Sequence, residues 1–116
     1  QMGTREERML LVRDSNRLVA SSAVRSPGMQ ESEVVLITRN QNISDDILRI
    51  ISSTPEWLKS YTVKRNLVEN PHTPVMVAQR LVEQLRESDL RKVAKSKNVT
   101  GPVQEAARRH LDRRKH

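Results

Sequence analysis

The sequence predicts an all-α protein, a right-handed superhelical stack of short helices, on three observations. Helix-opening signals recur along its whole length. Apolar residues follow the helical period rather than alternating. The chain also overlays itself when shifted by 44 residues. Aromatics are confined to Trp57 and Tyr61 and glycine to three positions, so the core draws on Leu, Val, Ile and Ala. Medium-sized side chains at many similar positions suit packed helices better than a sandwich of aromatic-rich strands.

The elements follow from their punctuation. Thr4 ahead of Arg5-Glu6-Glu7 is an N-cap with acids in the first turn, and Ser15 opens a second helix that ends near Arg25. A third is expected from Glu31 to Arg39. Ser44 caps a fourth, whose Asp45 and Asp46 complement the positive end of the helix dipole. Thr54-Pro55-Glu56 places proline at a first helical position, and the helix it opens is expected to run to Glu69. Asn70-Pro71 stops it, since the residue before a proline is pushed out of helical geometry. Thr73-Pro74 repeats the cap-plus-proline device and opens a helix to about Arg86. Ser88-Asp89 opens the next, ending near Lys97-Asn98, and Thr100-Gly101-Pro102 opens the last. The reading is eight short helices with brief connections.

Each of the later helices is one-sided. Val77, Ala78, Leu81, Val82 and Leu85 form one stripe, and Val103, Ala106, Ala107 and Leu111 form another. Asn70 and Asn98 read as helix stops whose side chains satisfy backbone groups at the corners.

The 44-residue shift lays Ala23-Val24-Arg25-Ser26-Pro27 on Leu67-Val68-Glu69-Asn70-Pro71, and Val34 and Ile37 on Ala78 and Leu81. It also lays Val63-Lys64-Arg65 on Ala107-Arg108-Arg109. Such a period lies in the range of helical repeats. The expected organisation is a single helical-repeat domain over 1–116, with units at 15–58 and 59–102 and a terminal helix at 103–116. That is about two and a half repeats, where stacked folds usually need three or more. The start Gln1-Met2-Gly3 has the look of a junction, so the expectation includes membership of a longer protein.

Leu67-Val68-Glu69-Asn70-Pro71-His72-Thr73-Pro74, followed by Val77 and Leu81 and then Asp89-Leu90-Arg91-Lys92-Val93-Ala94, resembles the leucine-rich repeat variant pattern. That pattern belongs to the HEAT-like α-solenoids. The match is good over 67–99 and loose over 19–53, where Ser26-Pro27-Gly28-Met29 replaces the Asn-Pro-x-Thr-Pro wording. The resemblance implies a curved stack of short helices, some of them 3₁₀, serving as a binding scaffold, and it carries over no catalytic residues.

Charge gives the functional lead. The net charge of +7 is uneven: residues 1–58 carry −1 and residues 59–116 carry +8. Lys64-Arg65 and Arg108-Arg109 fall on equivalent places under the 44-residue shift, and equivalent places in stacked repeats form a ladder on one face. Arg91, Lys92 and Lys95 add to it from the helix before the last. The plain reading of these cations is a solvated face that aids solubility. The functional readings are a protein partner of acidic character, or nucleic acid held by its phosphates. With no aromatic platforms, base stacking is not expected. Trp57 and Tyr61, four apart on one expected helix, read either as a core pair or as a hydrophobic interface.

Nothing in the sequence asks for an enzyme. His72, His110 and His116 are not at ligand spacing, glycines are isolated, and the acid pairs are first-turn residues. No metal or cofactor is expected. The absence of cysteine excludes disulfides and thiolate zinc sites. No apolar run approaches a membrane span, and a cytoplasmic setting is the simplest expectation. The function expected is therefore a non-enzymatic protein–protein interaction scaffold, with phosphate-backbone binding by the basic C-terminal half as the alternative.

Overall fold

The structure, a computed structural model, describes residues 28–114. The helices expected at 4–25 lie outside the described residues. Within them the protein is all-helical, with six α-helices, one 3₁₀ turn and no strand.

Helix α1 (Glu31–Arg39) starts in a capping box: Gln30 N–H donates to Glu33 Oε2 at 2.9 Å, and Glu31 and Glu33 occupy the first turn. Helix α2 (Asp45–Ser52) is capped by Ser44, whose Oγ accepts from Asp46 N at 3.1 Å. The expected helix from Pro55 to Glu69 is not continuous. Trp57–Lys59 form the 3₁₀ turn, Ser60 is extended, and a new helix α3 spans Tyr61–Glu69. Ser60 makes the break because its hydroxyl serves two partners. It accepts from Val63 N at 3.3 Å and donates to Glu31 Oε2 of α1 at 3.1 Å.

Helix α4 (Val75–Val82) begins after Pro74, which itself takes the N-cap place, and it ends four residues before the expected Arg86. Thr73 is not the cap. Its buried hydroxyl has no partner among the described residues. Helix α5 (Glu87–Lys95) has Arg86 at its N-cap, and α6 (Gly101–Arg114) opens with the expected Gly101-Pro102 pair.

Neighbouring helices bury their apolar stripes against one another. Helix α1 packs on α3, α3 on α4, α3 and α5 touch, and α6 packs on both α4 and α5. Val34, Ile37, Leu48, Ile51, Val63, Leu67, Val82, Leu90, Val93 and Ala107 are essentially inaccessible and belong to one continuous cluster. Their spacing of three and four within each helix is what turns a periodic sequence into a shared core.

One local geometry recurs three times. Helices α1, α3 and α5 each span nine residues. Each ends at a single extended residue, Asn40, Asn70 or Ser96, and a short turn then leads into α2, α4 or α6. At each corner the side-chain oxygen of that first residue accepts the N–H two residues on: Asn42 at 2.9 Å, His72 at 2.9 Å and Asn98 at 3.3 Å. Three residues into each corner a side chain is buried: Ile43, Thr73 or Val99. No described non-glycine residue has a positive φ, so the corner needs no glycine, in keeping with a chain that has so few. This geometry pairs α1 with α3 and α5. The 44-residue register instead pairs α1 with α4, and the shorter recurrence is the one the hydrogen bonds repeat.

Candidate binding groove

The row α1–α3–α5 is tied together by polar side chains near the ends of its helices. Asn70 Nδ2 donates to Thr38 O at 2.8 Å and Asn40 O at 3.1 Å, which satisfies carbonyls that the end of α1 leaves open. Asn66 Nδ2 reaches Val35 O at 3.2 Å and Thr38 Oγ1 at 3.3 Å, while Thr38 Oγ1 donates to Val34 O at 2.9 Å. At the other end, the Tyr61 hydroxyl donates to Asp89 Oδ2 and accepts from Arg86 N at 2.9 Å. The Arg86 guanidinium lies 4.4 Å from the Tyr61 ring centroid. Burial pushes the Tyr61 phenol above its usual 10.0, the hydrogen bond to Asp89 pushes the same way, and Arg86 opposes both.

Between these ties lies a groove of about 610 Å³, lined from α1 by Thr38 and Arg39, from α3 by Arg65, Asn66 and Glu69, and from α5 by Asp89 and Lys92, with Gln41 and Asn70 at the corners. The fold brings one cation from each helix to this one place: Arg39, Arg65 and Lys92. Arg65 is drawn toward Glu69 at 3.7 Å. Arg39, Gln41 and Lys92 have no polar partner among the described residues. The groove also carries acceptors, since Asn66 Oδ1 has no partner among the described residues and Glu69 and Asp89 present carboxylates.

The cations expected from the sequence divide among several environments. Arg65 and Lys92 share the groove. Lys64 donates to Gln84 Oε1 at 3.1 Å, and Arg91 pairs with Glu87 at 2.7 Å on its own helix. Lys95 is exposed. Arg108 lies 3.6 Å from Glu105 and donates to Ala94 O at 3.2 Å, so it closes the end of α5. Arg109 lines a smaller cleft of about 250 Å³ between α4 and α6, with Glu83, His110 and Arg113. Lys64-Arg65 and Arg108-Arg109 therefore do not meet in one groove. They sit on α3 and α6, which are the first helix of one corner unit and the second helix of another.

Trp57 and Tyr61 are also separated, by the break at Ser60, and both are half-buried against the core. The exposed large apolar side chains among the described residues are instead Leu36, Val75 and Met76. Arg39 and Gln41 were not singled out by the sequence reading. The signal that finds them is asparagine closing both α1 and α3, which aligns Asn40 with Asn70 and brings the residues around Asn40 beside α3.

Among the described residues, no group of three or more histidines, cysteines or acids could hold a metal ion, and no helix is long and apolar enough to cross a membrane. No family model, curated protein or solved structure matches this chain.

Proposed function

We propose that this chain is a non-enzymatic interaction module of the HEAT-like α-solenoid kind, with a right-handed stack of short helices that docks other proteins through the face formed by α1, α3 and α5. The observation that supports this reading is the groove itself. Three helices of one row, α1, α3 and α5, each contribute a cation to it, and two of those cations have no polar partner among the described residues. A surface held only for solubility has no need to gather such groups from three segments into one concavity. The likeness to the leucine-rich repeat variant pattern points the same way, and a reducing, cytoplasmic setting suits a chain without cysteine.

Cross-linking of the chain in cell extract, read by mass spectrometry, tests the docking face. Cross-links to other proteins should concentrate on Lys92 and Lys95 rather than on lysines elsewhere. An even spread over all lysines would contradict the reading. A labelled short duplex and a single strand, titrated across salt, test the alternative. Binding near micromolar that falls steeply with salt and weakens on charge reversal at Lys64, Arg65, Arg108 and Arg109 would replace protein docking with phosphate-backbone binding.

A further inference from the structure

We infer that the α1–α3–α5 groove binds an extended acidic peptide segment, with carboxylates spaced about three residues apart meeting Arg39, Arg65 and Lys92 in turn. The inference rests on the docking reading above and deepens it by naming the occupant.

Two features of the groove select this ligand. The first is spacing. Packed helices lie about 8–10 Å apart, and the three cations stand on three helices of one row. A chain extended in the polyproline II form advances about 3.1 Å per residue with three residues per turn, so acids at every third position lie on one face and advance by about the same distance. The second feature is the mixture of donors and acceptors. Glu69, Asp89 and the Oδ1 of Asn66 share the groove with the cations. Asp89 is held in place by the Tyr61 hydroxyl, and Asn66 by its two bonds to α1. A peptide meets both sets, with carboxylates for the cations and backbone N–H groups for the acceptors. A nucleic-acid backbone meets the cations, but its phosphates would face two carboxylates with at most a ribose hydroxyl as donor. The groove also lacks an aromatic side chain on which a base could stack.

Fluorescence anisotropy with the whole chain tests this, using a labelled peptide with Glu at every third position. The controls are a peptide of identical composition with its Glu residues clustered at one end, a Lys-for-Glu counterpart, and an oligo-dT strand. The spaced peptide should bind about tenfold or more tightly than the clustered one, and R39E combined with K92E should remove that preference. Both substituted residues are exposed, and an unchanged thermal unfolding midpoint confirms that the variant folds. Equal binding of the two acidic peptides, tighter binding of oligo-dT, or no binding of any acidic peptide overturns the inference. If the peptides fail while cross-links to proteins still concentrate on Lys92 and Lys95, the docking face stands and only its proposed occupant is wrong. If both fail, the docking reading falls with it.

Discussion

The second and third corners have the same backbone path and are closed in opposite ways. At the second, Pro71 and Pro74 flank the turn, and Asn70 reaches back to the carbonyls of α1 while its own Oδ1 takes the His72 N–H. At the third, there is no proline within the turn, and Ser96 offers only an oxygen to Asn98 at 3.3 Å. There the carbonyls at the end of α5 are met from the following helix: Arg108 donates to Ala94 O, and Gln104 Nε2 donates to Ser96 O. The second corner is fastened to the end of α1, the neighbouring helix of its row, and the third to α6, the helix that follows it. The lesson is that the shared geometry belongs to the unmet carbonyls at a helix end, and more than one side chain can meet them.

That contrast can be broken most sharply at Asn70. Asn70→Ala strands the buried Thr38 carbonyl and frees the turn, and it should cost about 2–3 kcal/mol in urea unfolding. Asn70→Asp keeps the acceptor for His72 but points a carboxylate at two carbonyl oxygens, so it should not rescue the loss. Tyr61→Phe removes the donor to Asp89 and the acceptor for Arg86 N, and should cost roughly 2 kcal/mol because a buried carboxylate loses its partner.

The same tyrosine gives a pH signature. Its folded pKa is raised above 10.0, so the neutral phenol is favoured in the folded state. The stability this provides is fully present below 10.0 and is lost as pH rises through the folded value. Wild type should therefore lose stability relative to Tyr61→Phe above that pH, measured as the difference between their unfolding midpoints. The smallest effect is expected at Ser96→Ala, under about 1 kcal/mol, because the bond it removes is long and half-exposed while Arg108 and Gln104 remain. A cost at Ser96 equal to that at Asn70 would show that the two corners are closed alike.

Much of the fold was legible because helix ends are written locally. Ser44 capping Asp45-Asp46, the stop at Asn70-Pro71 and the start at Gly101-Pro102 need only their own neighbourhood to be read. The break at Ser60 was not legible, since half of its cause is Glu31, a residue of another helix. Tyr61 was equally hidden, because its role depends on Asp89 and Arg86 being folded against it. For the groove, the sequence supplied the basic half and two of its three cations. It missed Arg39 because the 44-residue register set α1 beside α4, following apolar and proline matches rather than the asparagines that the corner hydrogen bonds use. Arg108 shows the converse, a cation conspicuous in the sequence that the fold spends largely on a backbone carbonyl.

On the proposed reading, the row α1–α3–α5 presents one groove as the binding surface. Amide chemical-shift mapping by NMR, during titration with the spaced acidic peptide, tests it most directly. Shifts should concentrate at Arg39, Gln41, Arg65, Asn66 and Lys92, with Arg109, His110 and Arg113 unmoved. Shifts centred on those last three residues, or spread evenly over the basic C-terminal half, would contradict it.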